Sequence, residues 1–483
     1  MIYQSTRSAD IRESAPRAVL RGLAPDGGLF VPDCFVDFDW RGMLGLDTLG
    51  MAERILSALL PGFADMERLV RRAYAGKFET EELTPLACVG SRYVLELFRG
   101  PTSAFKDVAL SMLPQLITAA REQEQLSDEI LILTATSGDT GKAALSGFCD
   151  VPGTKIIVFY PDAGVSAVQK AQMVTQEGEN VCVCAVQGNF DDTQNGVKAI
   201  FTRGIQDGCG VRLSSANSIN IGRLAPQVVY YFKAYADLLR RGRIAEGDKV
   251  EFVVPTGNFG DILAGYLAKR MGLPVGRLVC ASNRNDVLTD FLQTGTYDRR
   301  RPFYKTLSPS MDILVSSNLE RLLYFLCEST DEVAGYMRAL REDGRYTVSP
   351  ALFAKLQTEF ACGCCDDEKT KQTIGQVWAR HGYLMDTHTA VAWAVAEAYE
   401  SDCPVVVLST ASAYKFPAAV LCALGGDASG DEFAVMQRLH TLTGVPIPPP
   451  LAALPEKPQR HFDCICREDM LKYVLQKVTQ WKR

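Results

Sequence analysis

From about residue 90 to 430 the chain repeats one alternation of apolar and polar positions. A short run of apolar, often β-branched residues gives way to a loop of Gly, Ser, Thr and Asn, then to apolar residues at helical spacing. Runs of that length suit buried strands, and strands that alternate with helices predict βαβ units, hence parallel sheets covered on both faces. Three units are explicit. "EILILTA" passes through "TSGDTG" into "KAALSGF", and "TKIIVFYP" supplies a following strand; "KVEFVVP" passes through "TGNFGD" into "ILAGYLAKRMG"; "CPVVVLS" passes through "TASAYK" into "FPAAVLCAL". In open α/β sheets ligands gather beyond the carboxyl ends of strands, so these three polar loops are where chemistry is expected.

The pattern changes on either side. Residues 1–83 read as helical patches around "GLAPDGGLFVP", whose Pro25, Asp26, Gly27 and Gly28 force a tight reversal, and are expected to form a small N-terminal domain. Residues 84–430 are expected to form two α/β subdomains, with a mostly helical insertion near 285–380, where charge rises and β-branched runs disappear. The proline-rich segment from 431 to 483 is expected to wrap over the body and end in a short helix.

Composition narrows the function classes. The chain has 483 residues, 47% of them hydrophobic and 22% charged, which is enough for more than one core. Its net charge of -6, with no run of Lys or Arg, argues against nucleic-acid and membrane-surface partners. The charged start "MIYQSTRSADIRESAPRAVL" has no signal-peptide core, and no window offers about 20 uninterrupted apolar residues, so a cytoplasmic protein is expected. The 15 cysteines are an odd number in a large chain, which predicts reduced and mostly buried thiols. The clusters at Cys182 and Cys184, at Cys362, Cys364 and Cys365, and at Cys464 and Cys466 lack paired C-x-x-C spacing, so no metal is expected.

The loop Thr256-Gly257-Asn258-Phe259-Gly260-Asp261 follows a strand and opens a helix. Its glycines let backbone N–H groups approach an anion at the positive end of the helix, which suits a phosphate; a plain tight turn is the alternative. The loop Thr136-Ser137-Gly138-Asp139-Thr140-Gly141 is richer in hydroxyls and suits a small carboxylate. It is too short for a nucleotide P-loop, and Ala143 stands where a magnesium-binding hydroxyl would be needed.

"GPTSAFKDVAL" places Lys106 between Phe105 and Asp107 at the start of an apolar helix. The lysine is either a surface cation or a nucleophile. Ser103 to Lys106 matches S-x-x-K, but the S-D-N and K-T-G partners of serine acyl-enzymes are missing. An amine at a positive helix start beside an aromatic ring has its charged form disfavoured, although Asp107 opposes this. A neutral lysine together with a phosphate cradle points to a Schiff base with pyridoxal phosphate.

"LFRGPTSAFKD", "TATSGDTG", "SANSINIGR", "VPTGNFGDILAGYLAK" and "STASAYKF" occur in an order and spacing that resemble the threonine synthase family, in the longer microbial and fungal-type branch. That resemblance implies a fold-type II, tryptophan-synthase-β-like enzyme with two open parallel-sheet domains. It implies that Lys106 carries the cofactor and then moves protons, beside Phe105. Gly257, Asn258, Phe259, Gly260 and Asp261 would form the phosphate cradle, Asp139 would approach the cofactor ring oxygen and Thr410 the ring nitrogen. Thr136, Ser137, Gly138 and Thr140 would line the substrate carboxylate, and Asn217, Ser218, Asn220 and Arg223 would take the substrate's phosphate, a guanidinium fork suiting a phosphomonoester.

The implied reaction converts O-phospho-L-homoserine and water to L-threonine and phosphate, in a monomer or homodimer. A phospho-lyase releasing 2-oxobutyrate and a catalytically silent relative are the alternatives. The chain departs from the family where many members read G-T-A-H-P-A-K-F: here Ser412 stands in place of the histidine, while Thr410 and Lys415 remain. Lys142 is a second variation, and His388 is expected to be a cap or packing residue.

Overall fold

The β-branched runs fold into two open sheets in a computed structural model that describes residues 1–35, 38–162, 165–205 and 209–481. One sheet has five strands in the order Cys464–Ile465, Val181–Val186, Thr154–Pro161, Glu129–Ala135 and Val211–Ser214, all parallel. The other has six, in the order Phe360–Cys364, Val275–Ser282, Val250–Pro255, Val405–Ser409, Arg92–Glu96 and Leu86–Val89, parallel except for the antiparallel last pair.

Both faces of each sheet are buried, which explains why the strands are apolar throughout. In the five-stranded sheet Ile132, Ile156 and Val183 join the central core, while Leu131, Ile157 and Cys184 pack on the opposite face. In the six-stranded sheet Phe252, Leu278 and Val406 face the central core, and Val253, Val279 and Val407 face away. The helix Lys106–Gln123 lies against the helix Asp139–Phe148 at very short range. A Cβ on Gly147 would stand 2.0 Å from the Leu110 carbonyl oxygen, so only glycine permits this approach.

Three segments differ from the sequence pattern. The N-terminal region holds a three-stranded antiparallel sheet, Arg12–Glu13, Tyr3–Ser5 and Phe30–Pro32, as well as its helices, and its Val19, Phe30 and Ile55 belong to the same core as both large sheets. Between 285 and 380 the chain is mostly helical, but it also forms a two-stranded antiparallel sheet of Thr296–Asp298 with Arg345–Thr347 and the edge strand Phe360–Cys364. The tail adds Cys464–Ile465 to the five-stranded sheet, then the helix Met470–Trp481, whose Tyr473 ring meets Phe159 edge-on. All 15 cysteines are free, as expected, but four of them, Cys182, Cys184, Cys280 and Cys365, are buried rather than most, because the others lie largely at strand edges and helix ends. Among the described residues no helix is long and apolar enough to cross a membrane.

Candidate active site

The turn before Lys106 is stitched to the loop after Val405–Ser409. Ser103, in the left-handed region at φ 59°, accepts from Ser412 N–H at 3.1 Å, and Phe105 N–H donates to the Thr410 carbonyl at 2.8 Å. Asp107 is drawn back into this turn, where it accepts from the Thr102 N–H and hydroxyl. A Cβ on Gly100 would fall 2.5 Å from the Asp107 Cβ, so the glycine makes room for that retreat. Burial pushes the Asp107 carboxyl up against the pull of its Thr102 hydrogen bonds. The acid beside Lys106 in sequence therefore faces away from the amine.

Lys106 Nζ, out of water, lies 4.6 Å from the Phe105 ring centre and 3.9 Å from Asp139 Oδ2. Burial lowers its pKa most; Asp139 opposes, and the Lys415 and Arg223 cations lower it further. Asp139 starts its helix from Gly138, at φ 146°, and its Oδ1 is 2.7 Å from Lys415 Nζ and accepts from Gln169 Nε2 at 2.9 Å. Burial raises this carboxyl, but the two lysines and Gln169 outweigh burial and hold it below the usual carboxylate range. Lys415, fully buried, also donates to the Thr102 carbonyl at 3.0 Å.

The other residues of this loop divide in role. Thr136 Oγ1 accepts from the N–H groups of Gly138 and Gly141, bracing the turn, while Ser137 is exposed and Thr140 half-buried. Lys142, half-buried, donates to Gln176 Oε1 at 2.6 Å, and its pKa falls to about 8, chiefly through burial and then through Lys457 and Lys415.

The second loop is held by its carbonyls. Ser316 Oγ donates to the Gly257 carbonyl at 2.7 Å, and Asn318 N–H and Nδ2 donate to the Asn258 carbonyl at 3.1 and 3.0 Å. In a trans peptide the following N–H points opposite to the carbonyl, so the N–H groups of Asn258 and Phe259 face away from these anchors. Phe259 adopts φ 60°, and the helix Gly260–Arg270 starts with no side-chain cap. A Cβ on Gly257 would stand 2.9 Å from the Ser310 carbonyl oxygen. The Ser310 turn is itself pinned by His388, whose Nε2 accepts from Ser310 N–H while Nδ1 meets Asp386 Oδ2 at 2.7 Å; His388 is a packing residue. Asp261, buried at the helix start, is pushed up to about 6 by burial, against the pull of the Ile262 N–H.

Arg223 completes the cluster and is within electrostatic reach of Lys106. It is 3% exposed, donates through Nη1 to the Ala216 carbonyl, has no partner for Nε among the described residues, and is lowered to about 10 by burial. The loop before it is fixed by Asn220, whose Nδ2 donates to the Val19 and Ser215 carbonyls and whose Oδ1 caps Gly222 N–H. Both amide donors of Asn220 are thereby spent on the chain, leaving half-buried Asn217 and Ser218 as the freer polar groups. Ser218 Oγ reaches Ser317 Oγ at 3.3 Å, and Ser317 Oγ donates to Asn258 Oδ1 at 3.2 Å.

The donor set suits pyridoxal phosphate: a desolvated amine, uncapped helix-start N–H groups for a phosphate, and the Thr410 hydroxyl, 5% exposed, in the third loop. The pattern of the sequence pointed to Lys106 and to the cradle. It did not point to Gln169, Asn318 or Arg321, and it gave Lys415 no partner, although that lysine stands in the third loop.

Comparison with known proteins agrees with this geometry. Family models described as Pyridoxal-phosphate dependent enzyme, Threonine synthase N terminus and Threonine synthase, C-terminal match residues 81–411, 2–74 and 389–469. The chain is 39% identical to human Threonine synthase-like 1 over 433 residues, covering 84% of this chain and 57% of the longer human protein. It is 40% identical to the threonine synthase of Pseudomonas aeruginosa over 431 residues, covering 87% of this chain and 90% of that one. The crystal structure of PLP-bound threonine synthase from Brucella melitensis superimposes with a TM-score of 0.89 at 38% identity, covering 100% of both chains. The chain belongs to the threonine synthase family of pyridoxal-phosphate-dependent enzymes.

Proposed function

We propose that the protein converts O-phospho-L-homoserine and water to L-threonine and phosphate. The observation that carries this reading is Arg223, a buried cation that has, among the described residues, no carboxylate partner and no partner for its Nε, close to Lys106. A desolvated, unpaired guanidinium is costly unless an anion visits it, and its fork matches a phosphomonoester.

Pyridoxal phosphate, when bound, supplies an aldehyde that bonds amines and a ring that draws electron density from the carbons attached to them. The chain's own residues supply the rest. The N–H groups of Asn258, Phe259, Gly260 and Asp261 would hold the cofactor's phosphate at the helix start. Phe105 shields Lys106 Nζ, which would hold the cofactor through its aldehyde and would take and return protons on the substrate's carbons. A lowered amine pKa makes that nitrogen more often neutral and so able to accept them. The Asp139 carboxylate, fixed by Lys415 and Gln169, would accept a hydrogen bond from the cofactor's ring hydroxyl. Thr410 offers the ring nitrogen a neutral hydroxyl, which moderates electron withdrawal and suits elimination and replacement over transamination. Ser137 and Thr140, on the turn braced by Thr136 and Gly138, would receive the substrate carboxylate, and Arg223 with Asn217 and Ser218 would receive its phosphate.

The test is to incubate the protein with pyridoxal phosphate and O-phospho-L-homoserine, record the visible absorption and identify the products. L-Threonine and phosphate in equal amounts are expected. Release of 2-oxobutyrate and ammonia instead would assign a phospho-lyase, and an absorption unaltered by Lys106→Ala would overturn both enzymatic readings.

A further inference from the structure

A cavity of about 330 Å³ lies between the N-terminal region, the Ile219 loop and the segment that anchors the cradle. Its walls are mainly apolar, with Leu29, Ile219, Leu319 and Met337 beside Tyr297 and Tyr346, whose rings stack at 5.5 Å. Two residues at its edge, Leu23 and Val315, are unusually exposed for large hydrophobic side chains, at 40% and 44%. The polar groups are few and mostly cationic. Arg7 is held by Glu320 in a two-pronged pair, Nε to Oε1 at 2.8 Å and Nη2 to Oε2 at 2.7 Å, which uses up the one carboxylate of the wall. Arg299, whose Nη2 donates to the Arg341 carbonyl at 3.2 Å, is then left as positive charge at the edge, while Arg341 pairs at 3.4 Å with the exposed Glu342. A concave apolar site of this size with a few convergent charged groups is the usual form of a small-molecule site.

The same cavity touches the cradle. Ser316 and Ser317 form part of its wall, and their hydroxyls hold the Gly257 carbonyl and Asn258 Oδ1. Tyr297, on the wall, accepts from the Ser316 N–H at 2.9 Å. Anything seated against Tyr297 and Val315 therefore presses on the two serines that shape the phosphate seat.

We propose that this cavity is a second ligand site, for a small molecule carrying one carboxylate or phosphate on an apolar body, and that its occupant tightens cofactor binding by fixing Ser316 and Ser317. The coupling rests on the cradle assigned above, and it is reciprocal: the cofactor must tighten the second ligand by the same factor.

The test uses the cofactor-loaded full chain with anilinonaphthalene sulfonate as a fluorescent amphipathic anion and 4-methylpentanoate as its competitor. Binding to one site is expected, displaced by 4-methylpentanoate and weakened at least tenfold in each of Val315→Glu and Arg341→Glu, both surface substitutions. No binding, or binding unchanged in both variants, would overturn the site. By equilibrium dialysis, saturating 4-methylpentanoate is expected to lower the Kd for pyridoxal phosphate about fivefold or more. An unchanged Kd would overturn the coupling. Failure to bind pyridoxal phosphate at all would overturn the cradle and the coupling together, and it registers without any probe. None of these measurements depends on which product the enzyme releases.

Discussion

Lys415 Nζ stands 2.7 Å from one oxygen of Asp139, and Lys106 Nζ stands 3.9 Å from the other. One buried carboxylate thus lies between two buried amines, and the closer amine is not the one proposed to bond the cofactor. Lys415 keeps Asp139 charged and adds its own charge against protonation of Lys106. Lys415→Met should raise the Lys106 pKa in the apoprotein, measured as the pH dependence of Lys106 labelling by an amine-selective reagent. Breaking a buried pair by removing one partner should also cost about 3 kcal/mol of stability, part of which Lys415→Met with Asp139→Asn should restore. No change in labelling would mean that Lys415 is only a packing residue.

Arg223 gives an inverse pair of outcomes. A buried cation with no carboxylate partner costs stability, so Arg223→Met should raise the melting temperature of the apoprotein. It should also weaken the phosphorylated substrate by about 2–5 kcal/mol, read as a KM increase of about 30-fold or more, while the cofactor Kd changes little. Equal loss of substrate and cofactor binding would remove Arg223 from the substrate's phosphate.

Which parts of this site the sequence made legible follows from distance along the chain. Lys106 and Gly257 to Gly260 are short motifs whose meaning lies within a few residues, so strand, turn and helix signals sufficed. The Lys415 contact with Asp139 joins two separate loops, and nothing local in "STASAYKF" or "TSGDTG" announces it. Asp107, which opposed the lysine in sequence, proved harmless because Gly100 lets it turn back. The strands Tyr3–Ser5 and Phe30–Pro32 are too short for a period of two to emerge. Phe360–Cys364 is an edge strand, only partly buried, and so carries no β-branched run.

Asp261 sets a pH dependence. Its folded pKa is raised to about 6 from the model-compound 3.8, chiefly by burial, so the folded chain keeps a proton that the unfolded chain releases. The stability this contributes is complete below about pH 4 and is lost as pH rises through about 6. Melting temperatures of the apoprotein and of Asp261→Asn, taken across that window, should therefore diverge, the wild type losing ground as pH rises. Parallel profiles would show that Asp261 is ionised throughout.

Arg321 ties the N-terminal region to both halves of the site. Fully buried, it donates to the carbonyls of Phe30 and Ile219 and to the Asn318 side chain, and Asn318 in turn holds the Asn258 carbonyl. Burial pulls this guanidinium down to about 10, with Glu320 and Tyr3 opposing. Arg321→Met would leave two buried acceptors, on Phe30 and Asn318, unpaired at about 1–3 kcal/mol each, so a loss of about 2 kcal/mol or more is expected in urea unfolding. The cradle and the Arg223 loop should loosen together, because one side chain holds Asn318 on one side and Ile219 on the other. Cofactor Kd and substrate KM should therefore both rise in Arg321→Met, whereas Arg223→Met moves only the second. A destabilised Arg321→Met with both constants unchanged would confine Arg321 to holding the N-terminal sheet.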